Sequence, residues 1–426
     1  MSSLRIAFAT PEYVTEKQFD GGLANYIHRT ATALVQLGHQ VHVITLSDLD
    51  QTEFEHEGVR VHRVMMGKFG HRLNRVTGDR IRRSAKWLDL NLRVYQKLKQ
   101  MHQTTPLDIV QFPSYSSCGI LSSLLLSVPY VVRLSSYRPA WHRLTESRRT
   151  LDLRLMEWLE GWQLRLSRYI YAPSYALQKL VAAEAGIDRV RVVRTPCYIE
   201  TSNWDDSVYD RYLQSKKYLL FFGRFQLHKG FHILAQALPA VLAEYPDAHA
   251  VFVGQDMGSP LASSMKDYAR SQCSEYAERL IFLPQLPHQQ LYPIIARAHL
   301  VVLPSLIDNL PNACLEAMAL GKPVVGTVGT SFDELITDGE TGFLVAPDNV
   351  NALSQAITAA WNYPHLDRIG QAAKQRITEF SSDVTVTAVL NLYQEILQTQ
   401  PQSSLAIPSH PHSHLRSGQS NLSENL

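Results

Sequence analysis

The sequence lacks the marks of several protein classes at once. No apolar run approaches the roughly eighteen residues needed to cross a bilayer. The four cysteines, Cys118, Cys197, Cys273 and Cys314, are far apart and form no C-x-x-C pair. Neither a disulfide framework nor a cysteine-based zinc site is expected from them, only reduced, packed thiols. The dinucleotide fingerprint G-x-G-x-x-G is missing. So is the phosphate loop G-x-x-x-x-G-K-[ST], because Gly321-Lys322 runs into Pro323 without the upstream glycine. A dehydrogenase and an NTPase are both disfavoured. The N-terminal MSSLRIAFAT reads as a first strand ending at Pro11-Glu12, not as a signal peptide, so a cytoplasmic protein is expected. Asp48-Leu49-Asp50 has the letters of an acidic metal motif, but a short acidic loop has them too, and no metal is expected.

What is present is globular. The chain has 426 residues, 45% hydrophobic and 19% charged, which predicts two or three domains. The net charge of +2 conceals an asymmetry. Residues 1–200 carry 27 Lys and Arg against 18 Asp and Glu, whereas residues 201–426 carry 14 against 21. A basic half and an acidic half suggest different partners, the basic one facing an anionic acceptor or surface. Nothing in this points to nucleic acid.

Buried-type strands alternate with helical patterns along the whole chain. The first series lies at 4–10, 41–46, 59–65, 108–113, 128–135, 169–174 and 190–196. A polar, irregular stretch at 198–216 reads as a linker. The second series lies at 218–223, 249–254, 279–284, 299–304 and 342–347, and the Ser/Pro/His-rich tail 399–426 is expected to be disordered. The fold class expected is α/β: two doubly wound parallel sheets, one in domain 1–197 and one in domain 217–380, with ligand crevices at strand carboxyl ends. Between His71 and Gln100 nine Lys or Arg stand beside Ile81, Trp87, Leu88, Leu92, Tyr95 and Leu98 at roughly helical spacing. That is a basic amphipathic helix, lying either on an anionic membrane or on the core. Residues 136–141, followed by Arg143, Arg148 and Arg149, read as an irregular basic segment.

The densest chemistry lies in LPSLIDNLPNACLEAMALGKPVVGT (303–327). It reads as strand, polar turn, helix and second strand, with Pro311 in the first helical position and Asp308 or Asn309 capping it. Asp308 in the loop and Glu316 on the second turn can border one crevice, and the free amides of a helix start favour an anion there. Arg224 follows the 218–223 strand, and Lys229 comes five residues later. Two cations at a strand end suit a diphosphate, the fork of Arg complementing the point charge of Lys. Carboxylates accept hydroxyl hydrogen bonds. Polyol plus diphosphate makes a nucleotide-sugar. Asp20-Gly21-Gly22, between the first strand and its helix, allows close backbone approach to a ligand but is equally a plain loop.

GRFQLHKG (223–230), PSLIDNLPNACLEAMALGKPVV (304–325), GTSFDELITDGETGFLV (329–345) and the first strand with Gly21-Gly22 together resemble the retaining GT-B glycosyltransferases of family 4. The resemblance covers about residues 4–398. It implies two Rossmann-like domains facing across a cleft, with a final helix, 381–398, crossing back to the N-terminal domain. It also implies that Arg224 and Lys229 hold the donor diphosphate and that Glu316 binds the ribose. Asp308 with the amides of Asn309, Leu310, Asn312 and Ala313 would hold the transferred sugar, while Gly21 and Gly22 approach the donor from the opposite domain. The catalytic set expected is Asp308, Arg224 and Lys229, without cofactor or metal.

Two positions depart from the family pattern. Asp308 stands where the first Glu of Glu-x7-Glu is usual, and Ser135 where many members carry a histidine; neither His28 nor His142 is an obvious substitute. The expected reaction is transfer of a sugar from a UDP- or GDP-sugar to a glycan, lipid-linked or other hydroxyl acceptor, as in cell-surface polysaccharide or glycolipid synthesis. The acceptor would dock near Arg133, Ser135, Tyr137 and Arg138, with the protein at the inner membrane face. A nucleotide-sugar epimerase on the same fold, or an inactive sugar-nucleotide binder, are the rival readings.

Overall fold

The computed structural model describes residues 3–17, 21–145 and 149–399. Asp20, Arg148 and the tail from 400 onward, to which the sequence reading also extends, lie outside the described residues.

Among the described residues, the N-terminal domain is built on eight strands: β1 (Arg5–Thr10), β2 (Gln40–Leu46), β3 (Glu53–His56), β4 (Val59–Val64), β5 (Ile109–Pro113), β6 (Tyr130–Arg133), β7 (Ile170–Ala172) and β8 (Val190–Val192). They lie in the order β3-β4-β2-β1-β5-β6-β7-β8. Every pairing is parallel except β3 with β4, a hairpin at the edge. The second sheet has six parallel strands: β9 (Lys217–Phe222), β10 (Ala248–Val253), β11 (Leu280–Leu283), β12 (Leu300–Val302), β13 (Val324–Thr327) and β14 (Phe343–Val345), ordered β11-β10-β9-β12-β13-β14. Strands such as β5 and β12 are buried at every residue, as parallel strands covered by helices on both faces must be. In each sheet the strand order reverses once, between β1 and β5 and between β9 and β12. A doubly wound sheet opens its crevice at such a reversal.

The last described helix returns to the N-terminal domain. Phe380 accepts a backbone hydrogen bond from Cys197 at 2.9 Å, and the last helix (Ser382–Thr399) buries Val386, Val389, Leu390, Tyr393 and Ile396 against Ile6, Phe8, Ile27 and Leu34. Buried polar groups fix its register. Tyr393 and Tyr171 both donate to Gln111 Oε1, at 2.6 and 2.7 Å, and the hydroxyls of Tyr171 and Tyr26 share a hydrogen bond. A satisfied buried network of this kind favours one packing over its neighbours.

Three local expectations need correction, and one edge strand was not anticipated. The expected linker contains a helix, Ser207–Tyr212, and Leu213 after it is fully buried, so the segment is docked on the second domain. The expected irregular stretch is helical over Arg138–Thr145, with Pro139 in the first turn, where its missing amide costs nothing. The basic segment is two helices, Lys68–Val76 and Arg82–Thr104. Gly78 and Asp79 at positive φ break it between them. Finally, β3 is a short charged strand with alternating exposure, which blunts the sheet edge. All four cysteines are buried and unbridged. Among the described residues, no helix is long and apolar enough to cross a membrane.

Candidate active site

The loops after β9 and β12 meet at the reversal of the second sheet. After β9 the chain passes Gly223 and the half-buried Arg224, makes a 3-10 turn over Leu227–Lys229, and enters the helix Phe231–Glu244 through Gly230 at φ 68°. Glycine is required at that corner. A Cβ on Gly230 would lie 1.8 Å from the carbonyl oxygen of Pro304 in the other loop. The close approach lets the His228 carbonyl accept from the amide of Leu306 at 2.8 Å. It also brings Lys229 Nζ to 2.6 Å from Asp308 Oδ2, the Asp308 side chain being only 9% exposed. Ser331 Oγ donates to the Asp308 carbonyl at 2.9 Å and braces the loop from the far side.

The helix that follows runs Asn312–Ala319, with Pro311 as its N-cap and no side-chain cap. This corrects the expected cap. Asp308 is turned toward Lys229 instead, a charge-assisted bond that outcompetes a neutral amide donor, and the Asn309 side chain donates to the Ser135 carbonyl. The helix start therefore presents amides without a side-chain acceptor. Glu316, one turn on, is buried and lies 3.1 Å from Arg29 Nη2 and 3.8 Å from His288 Nε2. Arg29 belongs to the first helix of the N-terminal domain (Gly22–Gln36). Burial opposes its charge, but Glu316, together with Tyr292 and Cys197, more than offsets this and its pKa is raised. Gly21, at φ 87°, turns the chain into that helix, and a Cβ on Gly22 would lie 3.9 Å from Asn312 Nδ2. Gly22 thus faces the start of the Asn312 helix across the cleft. Leu310 is buried beside it and Ala313 partly buried.

The two domains also touch through Ser174 Oγ, which donates to the Asn309 carbonyl, and through Ala176, whose amide donates to Glu334 Oε1 at 2.9 Å. Of the four residues expected near an acceptor, Ser135 reaches this contact. Arg133 is buried over the ring of Tyr26, 3.7 Å from its centroid, and donates to Thr195 Oγ1 at 2.9 Å. Tyr137 is buried, and burial pushes its hydroxyl up to about 12. The Arg138 guanidinium lies over Trp87 and Tyr115, and its amide donates to Glu160, whose carboxyl burial raises to about 7.

The sequence reading did not single out Arg29, His228, His288, Ser174 or Glu334. His228 is the most distinctive of these. It is 2% exposed, its ring lies 4.2 Å from that of Trp141 in the N-terminal domain, and neither of its nitrogens has a hydrogen-bond partner among the described residues. Burial first, then the charges of Lys229 and Arg224, push its pKa down to about 2. An unfolded chain would bind this proton below about pH 6.5 while the folded one would not, so the contribution to stability is complete above 6.5 and is lost as pH falls from there toward 2. Between pH 7.5 and 5 the wild type should lose about 2 kcal/mol more than His228→Gln in denaturant unfolding. Parallel losses in the two proteins would refute this.

Comparison with known proteins identifies the family. Residues 21–197 match the model of the glycosyl transferase 4-like domain, and residues 216–362 that of the glycosyl transferases group 1. The chain is also 26% identical over 408 residues to the glycogen synthase of Mycobacterium tuberculosis, covering 92% of this chain and 95% of that one. The protein is a GT-B glycosyltransferase of family 4. This glycosyltransferase has the fold of the sucrose-phosphate synthase of Thermosynechococcus elongatus, with a TM-score of 0.76 at 20% identity, over 93% of this chain and 100% of that one. A structure of Anabaena HepE in complex with UDP and glucose matches it with a TM-score of 0.67 at 19% identity, over 92% and 100% of the two chains.

Proposed function

We propose that the enzyme transfers a sugar, with retention of configuration and without a metal, from a nucleoside-diphosphate-sugar to a hydroxyl acceptor. The observation that carries this reading is the Lys229–Asp308 pair held at the reversal of the second sheet, beside a helix start without a side-chain cap. Lys229 and Arg224 take the diphosphate, and the amides of Asn309, Leu310, Asn312 and Ala313 with Asp308 take the sugar. Glu316 takes the ribose, with Arg29 as its countercharge until the donor arrives. The bond from the anomeric carbon to the phosphate oxygen breaks, and the negative charge that develops on the diphosphate meets cations already in place. The acceptor oxygen bonds to that carbon from the same face, and its proton passes to the departing phosphate. Ser135 stands in place of a histidine, and the buried His228 ring, packed on Trp141, is shielded from acceptor hydroxyls in this conformation.

UDP and GDP are the donor bases we favour, the first also being the nucleotide in the HepE complex. Thermal shift with UDP-, GDP- and ADP-sugars tests the choice. The true donor at about 100 times its dissociation constant adds about 2.7 kcal/mol, and the others add little. No shift with any of them, together with no released nucleoside diphosphate, would overturn the reading.

We further propose an acceptor at an anionic membrane face, in keeping with glycolipid or surface-polysaccharide synthesis. The support is the helix Lys68–Val76, where Val76 is 85% and Phe69 46% exposed beside Lys68, Arg72 and Arg75. The protein should co-sediment with anionic vesicles and much less with neutral ones, and Phe69→Ser with Val76→Ser should weaken this. Equal sedimentation with both vesicle types would remove the membrane from the proposal.

A further inference from the structure

The tip of the β3–β4 hairpin carries chemistry that the transfer reaction does not use. His56 pairs with Val59 across a two-residue loop, Glu57-Gly58, and both loop residues have positive φ, 50° and 79°. A loop of this kind favours Asn-Gly, because a side chain such as Glu is strained there. Glu57 occupies a position that costs backbone energy. The loop is pressed against the first helix, since a Cβ on Gly58 would lie 2.7 Å from Val35 Cγ1. This turns the Glu57 carboxylate toward His28 on that helix. Glu57 Oε2 lies 3.4 Å from His28 Nε2, and Glu57 Oε1 lies 3.9 Å from His56 Nε2. One ligand atom from each of the three residues falls within 4.8 Å of the others.

We propose that His28 Nε2, His56 Nε2 and the Glu57 carboxylate bind one divalent transition-metal ion, with zinc the best match, that clamps the hairpin to the first helix. Two imidazoles and a carboxylate are a zinc donor set, and bonds of about 2.0–2.1 Å in a tetrahedron set its ligand atoms roughly 3.4 Å apart. The 3.4 and 3.9 Å contacts are close to this spacing, and ligand atoms that all lie within 4.8 Å of one another reach it by closing at most about 1.4 Å. A second group supports the set from behind. The hydroxyl of Tyr13, itself fully buried, lies 3.4 Å from His28 Nδ1, the bond that fixes which imidazole nitrogen is left for an ion. The next residue, Arg29, leaves the helix about 100° further round and faces Glu316 instead. The ion therefore takes no part in the transfer. It would hold the helix that delivers Gly22 and Arg29 to the cleft, and it stands whether or not the proposed donor is correct.

The experiment uses the untagged full-length chain, freed of metal by chelator and titrated with Zn²⁺, with Co²⁺ as a spectroscopic probe. One equivalent should bind, Co²⁺ should give the strong visible absorption of a four-coordinate site, and Zn²⁺ should raise the melting temperature. His28→Ala and His56→Ala should each weaken binding by about 100-fold, and Tyr13→Phe by about 10-fold. Glu57→Asn relieves the turn, so the metal-free protein should melt no lower than wild type while its metal affinity falls. The exposed control His71→Ala should bind as wild type does. Absence of a one-equivalent site, or unchanged binding in both histidine variants, overturns the proposal.

Discussion

Lys229→Ala should lower kcat by about 10²–10³-fold while changing the donor KM far less. The asymmetry follows from when the charge is needed. In the bound donor the diphosphate already carries negative charge that Arg224 and the helix amides share, but the extra charge of the departing phosphate appears only in the transition state. An interaction that strengthens at that point raises kcat, whereas one equal in both states only lowers KM. Lys229 is placed for it by the Gly230 corner and held within 2.6 Å of Asp308. Its removal also leaves a nearly buried carboxylate without its cation, at a cost on the order of 1–3 kcal/mol in stability. Asp308→Asn in the same background should recover part of that stability and none of the activity. The check is steady-state kinetics with the donor found by thermal shift, alongside denaturant unfolding. A kcat within threefold of wild type at saturating donor would remove Lys229 from the chemistry.

How much of this was legible in the sequence depends on the range of the interaction. The neighbourhood of β9 and β12 follows from the alternating pattern and the order reversal of a doubly wound sheet, so the strand-end cations and the loop carboxylate could be placed at one edge before any coordinates. Contacts between the domains could not be. Arg29 is one basic residue on a helix, and no spacing rule ties it to Glu316, 287 positions away. The same holds for Trp141 over His228, where an aromatic-rich segment read as irregular proved to be the helix that covers the β9 loop. Basic residues misled for a different reason. Arg133 and Arg138 read as a binding surface because arginine is usually exposed, yet their planar guanidinium groups stack on Tyr26, Trp87 and Tyr115, an option that composition alone does not reveal. The β3 strand was missed because its charged, alternating residues belong to an edge and not to a buried parallel strand.

Gly230→Ala should be the most damaging single methyl in the cleft. At φ 68° an alanine costs about 1–2 kcal/mol in backbone conformation alone. The new Cβ would also stand 1.8 Å from the Pro304 carbonyl oxygen and 2.6 Å from its carbon, backbone atoms that no rotamer can move aside. The loop after β12 must retreat, and Asp308 sits in it four residues on. A total of about 3 kcal/mol is expected, which for a domain of this size lowers its melting temperature by roughly 6–12 °C. Gly329→Ala is the control that separates conformation from collision. Its φ of 76° is nearly the same, but nothing lies within 4 Å of the added carbon, so it should lose only the backbone part. Activity should follow the collision and not the strain: Gly230→Ala close to the background of Lys229→Ala, Gly329→Ala near wild type below its melting range. Equal melting temperatures for the two alanine variants would show that the loops are not in the contact described, and the Lys229–Asp308 geometry built on that contact would fall with it.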